Sequence, residues 1–160
     1  MILCTHAIVG GAIASLFPSH PVAVVAAGFA SHFAIDAIPH WDYPLRSISI
    51  GPGARNQWRI DRARLRDVSL IGFDALAGLA LAVYLFATSA TVAAVLLGAL
   101  AAMLPDPLQF VQSLYPRGPL NWLQGFHLWI HTKRQLDWPI GVSSQIAFAI
   151  AVIGIVAELR

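Results

Sequence analysis

Apolar residues run almost unbroken from Ile2 to Phe17, return from Val22 to Ile38, and return again over about 67–87, 91–104 and 140–157. None of these runs alternates as a half-buried strand would. Each reads as a helix that is apolar on every side, and a hydrocarbon core of ~30 Å takes about 20 helical residues to cross. The pattern predicts an all-α integral membrane protein: one membrane-embedded domain over residues 1–160 with about five transmembrane helices. The first two runs are at the short end for a span and pair as a helical hairpin about the break Phe17-Pro18-Ser19-His20-Pro21. Residues 43–66 are polar, with a turn expected at Gly51-Pro52-Gly53. Thr88-Ser89-Ala90 is a tight connection, and Pro105-Asp106-Pro107 is expected to end the fourth run. Within the mixed region 108–139, residues 121–132 read as a short amphipathic interfacial helix. Trp122, Phe126 and Trp129 fall on one side of it, with Gln124, His127 and His131 opposite.

Against this background the stretch Ser31-His32-Phe33-Ala34-Ile35-Asp36-Ala37-Ile38-Pro39-His40-Trp41-Asp42 stands out. It places two imidazoles and two carboxylates where the apolar run should continue. His32 and Asp36 are four apart, so on a helix they share a face and can reach one cation. Threading the five runs back and forth brings His6, His32, Asp36, Asp74 and Asp106 to the membrane side that carries Met1. At 1.5 Å per residue His6, His32 and Asp74 lie on the order of 10 Å or less below that surface. The opposite half of the bundle holds only His20 in a turn and the chain end.

Composition narrows the class. The chain is 58% hydrophobic and 11% charged, with mean hydropathy +0.69 and pI about 9.1, outside the range of ordinary soluble domains. Every lysine and arginine except Arg160 falls on the Met1 side, so the basic balance reports topology and not nucleic-acid binding. By the positive-inside rule that side is cytoplasmic. The N-terminus lacks a basic lead-in and a polar cleavage stretch and is expected to be a retained helix. One cysteine, Cys4, excludes an internal disulfide and a thiolate metal cluster, and it sits off the His6 face, where packing is its expected role. Any metal would take nitrogen and oxygen ligands.

The candidate ligands are His6, His32, Asp36, His40, Asp74, Asp106, His127 and His131, more than one four-coordinate ion needs. They predict a divalent-metal centre with two ions, zinc in the first place and manganese or iron as alternatives. Asp36 or Asp74 would bridge the ions. Asp42 would act as general base or orient a histidine, and Asp74 is the second carboxylate placed in a catalytic role. Arg59, Arg62 and Arg66 would hold an anionic headgroup, since guanidinium matches phosphate bidentately. Each residue has a plainer role in competition: helix capping for Asp106, a cross-helix hydrogen bond for His6, an ion pair for Asp74, a wet interfacial face for His127 and His131.

Taken together, the early His6, Leu104-Pro105-Asp106, Phe126-His127-Leu128-Trp129-Ile130-His131-Thr132 and Ser31-His32-Phe33-Ala34-Ile35-Asp36 resemble the motifs of the bacterial inner-membrane metal-dependent hydrolases. The resemblance covers four short patches; here the Ser-His…Asp motif precedes the others, and Ile130 stands where that family has threonine. It implies His6, His32, Asp36, Asp106, His127 and His131 as metal ligands and a multi-pass protein of the inner membrane. A looser likeness is to zinc-dependent phospholipase C, whose metals are also held by His and Asp. The expected activity is hydrolysis of an amphiphilic, phosphate-ester lipid by metal-bound hydroxide at the cytoplasmic interface, with the bilayer as partner and no nucleic acid. The rival readings are a metal-ion or proton transporter, with polar groups continuing to the far face, and a non-catalytic membrane scaffold.

Overall fold

The computed structural model describes residues 1–49, 54, 56, 57 and 59–160, so the expected turn at Gly51-Pro52-Gly53 lies outside the described residues, as does Arg55. Among the described residues the chain is all-helical: α1 (Leu3–Leu16), α2 (Pro21–Asp36), α3 (Arg62–Phe86), α4 (Val92–Met103), α5 (Pro105–Leu114), α6 (Pro119–Ile130) and α7 (Trp138–Leu159). Helix α1 is the centre of the bundle. It packs chiefly on α4 and α3, and also on α2 and α7, and it is buried almost continuously from Leu3 to Ala14.

Close approach of α1 and α4 depends on the absence of side chains. A Cβ added at Gly10 would come 2.3 Å from the Gly98 carbonyl oxygen, and one at Gly98 would come 2.4 Å from that of Gly10. The two backbones therefore touch, the usual way apolar helices gain packing where the hydrophobic effect no longer discriminates. Gly78 of α3 makes the same kind of approach, its missing Cβ standing 2.6 Å from Cys4 Cα.

The outward faces are apolar. Phe73 and Leu76 on α3 and Ile140, Ile150 and Ile155 on α7 are all more than half exposed. Among the described residues two helices, α3 and α7, are long and apolar enough to cross a membrane, and α4 with α5 makes a third if that pair, bent by 43°, is one span. This revises the expected count of five. With 14 and 16 residues, α1 and α2 reach only about 21 and 24 Å at 1.5 Å per residue, short of a ~30 Å core.

Two boundaries also differ from the sequence reading. Helix α3 starts at Arg62, not near 67, because the Asp61 carboxylate accepts the Arg64 amide at 2.8 Å and caps the start. The chain does not end its helix at Pro105-Asp106-Pro107 but bends and continues as α5. Both prolines fall in the first turn of α5, where backbone N–H groups have no helical partner in any case. Helix α6 has the expected two faces, turned so that Gln124 and His127 are buried while Trp122 and Trp129 are exposed.

Candidate metal centre

Four helix ends meet at one end of the bundle: the start of α1, the end of α2, the first turn of α5 and the last turn of α6. Each contributes a side chain to the same point. His32 and Asp36 come from one face of α2, Asp106 from α5 and His127 from α6, and one ligand atom from each lies within 4.8 Å of all the others. Asp36 also joins His40 and His131 in a second such group. The expected histidine pair at 127 and 131 is thus brought in, although His131 lies one residue past the end of α6. The segment after it is pinned to the end of α2: the Thr132 amide donates to the Asp36 carbonyl at 2.8 Å and that of Leu136 to the His40 carbonyl at 2.9 Å.

The geometry fits an ion. His32 Nε2 is 3.2 Å from Asp36 Oδ2 and 3.5 Å from Asp106 Oδ1, and His127 Nε2 is 3.1 Å from Asp36 Oδ2. Ligands about 2.1 Å from a tetrahedral ion stand roughly 3.4 Å from one another. The buried imidazoles are also short of partners: both nitrogens of His6 and Nε2 of His32 have no hydrogen bond within the protein. A buried polar atom left unpaired costs about 1–3 kcal/mol, so three together point to a partner supplied from outside the chain.

The rings are held as ligand histidines are held. His32 Nδ1 is 2.8 Å from the Ala102 carbonyl, His40 Nδ1 is 2.7 Å from that of Ile38, and His131 Nδ1 is 3.0 Å from that of Thr132. A carbonyl can only accept, so each Nδ1 carries the hydrogen and each Nε2 lone pair faces the centre. Burial also holds the His131 imidazole below its usual pKa, in the neutral form a metal requires. His6 stacks on His32 with ring centroids 4.0 Å apart, and its Nε2 is 3.2 Å from Asp36 Oδ1. Asp42 Oδ1 is 3.0 Å from His40 Nε2. The Met1 ammonium lies 2.8 Å from Asp36 Oδ1 and 3.0 Å from Asp42 Oδ1, the place a cation takes between two carboxylates.

Four residues expected at the centre are elsewhere. Asp74 is neither ligand nor bridge: its Oδ2 accepts the Cys4 amide at 2.8 Å and the Tyr43 hydroxyl. Tyr43 Oη accepts the Leu3 amide, and Gln145 Oε1 accepts that of Ile2. Side chains from three elements thereby cap the start of α1, and Asp74 acts on the centre only by fixing the helix that carries His6. Burial, and after it the Asp74 charge, pushes the Tyr43 phenol well above its usual pKa, which keeps it a donor. Arg59 and Arg62 are exposed, and Arg66 turns to Asp67 Oδ1 at 3.1 Å and to the Pro44 carbonyl. None of the three lines the cavity beside the centre.

Gln109 was not anticipated. It is buried, with Nε2 3.0 Å from His127 Nδ1. The signal was present: Gln109 follows Asp106 by three on one helix, a spacing that shares a face.

The fold and site define a class: a protein all-helical among the described residues, with two to three helices there apolar enough to cross a membrane, and a buried His/Asp group that could hold a metal ion. Beyond that class the chain matches no family model, no curated protein and no solved structure.

Proposed function

We propose that the protein is a membrane-embedded, metal-dependent hydrolase that cleaves an amphiphilic phosphate-ester lipid at the cytoplasmic face of a bacterial inner membrane. The observation that carries the reading is the convergence of imidazoles and carboxylates on one point, with the Nε2 atoms of His6 and His32 unpartnered in the protein, beside a cavity of about 760 Å³ that Asp36, Asp106, His127 and His131 line. His32, Asp36, Asp106 and His127 would hold one ion, and Asp36, His40 and His131 a second, with His6 in reserve at Asp36 Oδ1. Zinc suits such a nitrogen and oxygen set, and manganese or iron would accept it. When bound, the ions supply Lewis acidity and an activated water.

The protein's own part is to place and to exclude. Asp36 is common to both groups and fixes their separation. Asp42, which lines the cavity beside His40, accepts the proton released from the attacking water. The headgroup is held by the centre itself, since none of Arg59, Arg62 and Arg66 lines the cavity. A relay across the membrane would need ionisable groups beyond the centre, and α1 past His6, α2 before His32 and the whole of α4 carry none. Charge on this end and the aromatic face of α6 support an interfacial, cytoplasmic site.

The test is elemental analysis of detergent-purified protein beside His32→Ala/Asp36→Ala, followed by phosphate release from phosphatidic acid in nanodiscs. The expected result is one or two transition-metal ions per chain and turnover, both lost in the variant. Equal, near-zero metal in the two proteins, or turnover that survives in the variant, would overturn it.

A further inference from the structure

The cavity beside the centre is two-natured. The ends of α2, α5 and α6 and the segments after α2 and α6 give its wall Asp36, Asp42, Asp106, His127 and His131; α3, the second turn of α5 and the segment 43–49 give it Leu45, Ile48, Val68, Ile71 and Phe110, with Ser49 beside them. The apolar end is built by three elements: one face of α3, where residues 68, 71 and 72 follow the i, i+3, i+4 spacing, the first turns of α5, and the segment 43–49. Helix α3 packs on α1 and α4, and the turn around Gly72 faces the cavity. A Cβ added at Gly72 would meet no atom within 4 Å, unlike Gly78 two turns on, which is pressed against Cys4. On the same stretch of α3, Phe73, turned away from residues 68 and 71, and Leu76, one turn past Gly72, are exposed and apolar, as a surface facing acyl chains would be.

We infer that the apolar half of this cavity is a binding site for one hydrocarbon chain of a membrane amphiphile, entered sideways from the bilayer past Val68 and Gly72, with the chain's polar head delivered to the His/Asp centre. The inference rests on the hydrolase reading for what happens at the head, but the seat itself is argued from the wall. Among the described residues, α3 contributes only Val68, Ile71 and Gly72 to the wall, so a polar ligand lying against it would lose water there without recovering hydrogen bonds. A chain loses nothing and keeps its apolar surroundings. The joint volume of about 760 Å³ lies inside the ~300–1,000 Å³ of small-ligand sites, room for a head and one chain. Gly72 is the gauge: any side chain there would stand where the chain must lie.

The experiment uses hexadecyl monophosphate carrying a diazirine at its tail end. The probe is photolysed with the full-length protein in phosphatidylcholine nanodiscs, and adducts are mapped by mass spectrometry. Labelling should fall on residues 45–48, 68–72 and 110, and should drop to background in Gly72→Phe and in Leu45→Trp, which narrow the seat from opposite walls. Metal content should be unchanged in both variants. Labels confined to outward residues such as Phe73 and Leu76, or groove labels that survive both substitutions, would overturn the inference. A protein that holds metal but takes no groove label defeats the chain seat alone, whereas one that takes groove label but holds no metal defeats the hydrolase reading alone.

Discussion

The orientation of the Gln109 amide should reverse when His127 becomes a ligand. With Nε2 of Gln109 3.0 Å from His127 Nδ1, the amide donates to the ring, which leaves the ring hydrogen on Nε2, directed at Asp36 Oδ2 3.1 Å away. In that arrangement Gln109 Oε1 is buried without a partner. A metal on Nε2 moves the ring hydrogen to Nδ1, and turning the amide by half a revolution presents Oε1 to accept it. One rotation thus relieves the orphaned oxygen, worth about 1–3 kcal/mol, and locks the ring in its ligating tautomer. Outer partners of this kind contribute roughly 10–100-fold to metal affinity, or about 1.4–2.7 kcal/mol. Gln109→Leu should weaken binding by about that factor, while Gln109→Glu, a permanent acceptor, should bind as tightly as the parent or more so. Competition against a chromophoric chelator in detergent solution reads both. Unchanged affinity in Gln109→Leu, or a loss in Gln109→Glu as large as in Gln109→Leu, would refute the reasoning.

Other substitutions separate ligands from supports. Asp36→Asn should abolish metal binding altogether, because the two groups share this carboxylate; retention of one ion, seen by elemental analysis, would show that they are independent. Asp74→Ala should lower stability by about 1–3 kcal/mol through the freed Cys4 amide and Tyr43 hydroxyl, with metal stoichiometry unchanged; loss of metal at full thermal stability would return Asp74 to the ligand set. Gly98→Ala should cost about 1–3 kcal/mol as an overpacked contact, since its Cβ would stand 2.4 Å from the Gly10 carbonyl oxygen. Gly154→Ala, with nothing within 4 Å, should be neutral or stabilising by up to ~1 kcal/mol; chemical unfolding in detergent that ranked the two alike would count against the packing described.

What could be read from the chain was what depends on local geometry. His32 and Asp36 share a face because helices have a fixed pitch, whereas the five passages expected to carry Asp106 back beside them are reduced to two or three helices long enough to cross a membrane. Asp74 was misjudged for a physical reason. A carboxylate within an apolar run signals an unmet polar demand nearby, but the pattern does not say whether a metal or an uncapped helix start makes that demand, and here it was the amide of Cys4. The arginines failed likewise: charge is legible but direction is not, and Arg66 turns to the adjacent Asp67. Helix α5 was missed because two prolines were read as a stop, when a proline in the first turn is also a start signal. The cavity could not be foreseen at all, since it is a property of three elements failing to close on one another.

The capping of α1 bears on how the protein is made. Helix α1 has its opening amides met by Tyr43, by Asp74 from α3 and by Gln145 from α7, all of which follow it in the chain. Until α7 arrives, the Ile2 amide lacks its partner, although α1 already packs on α2, α3 and α4. A chain that stops before α7 should therefore keep α1 packed on its neighbours but fray its first turn. Placement of the centre is in this sense tied to α7, whose Gln145 holds the turn of α1 that leads to His6.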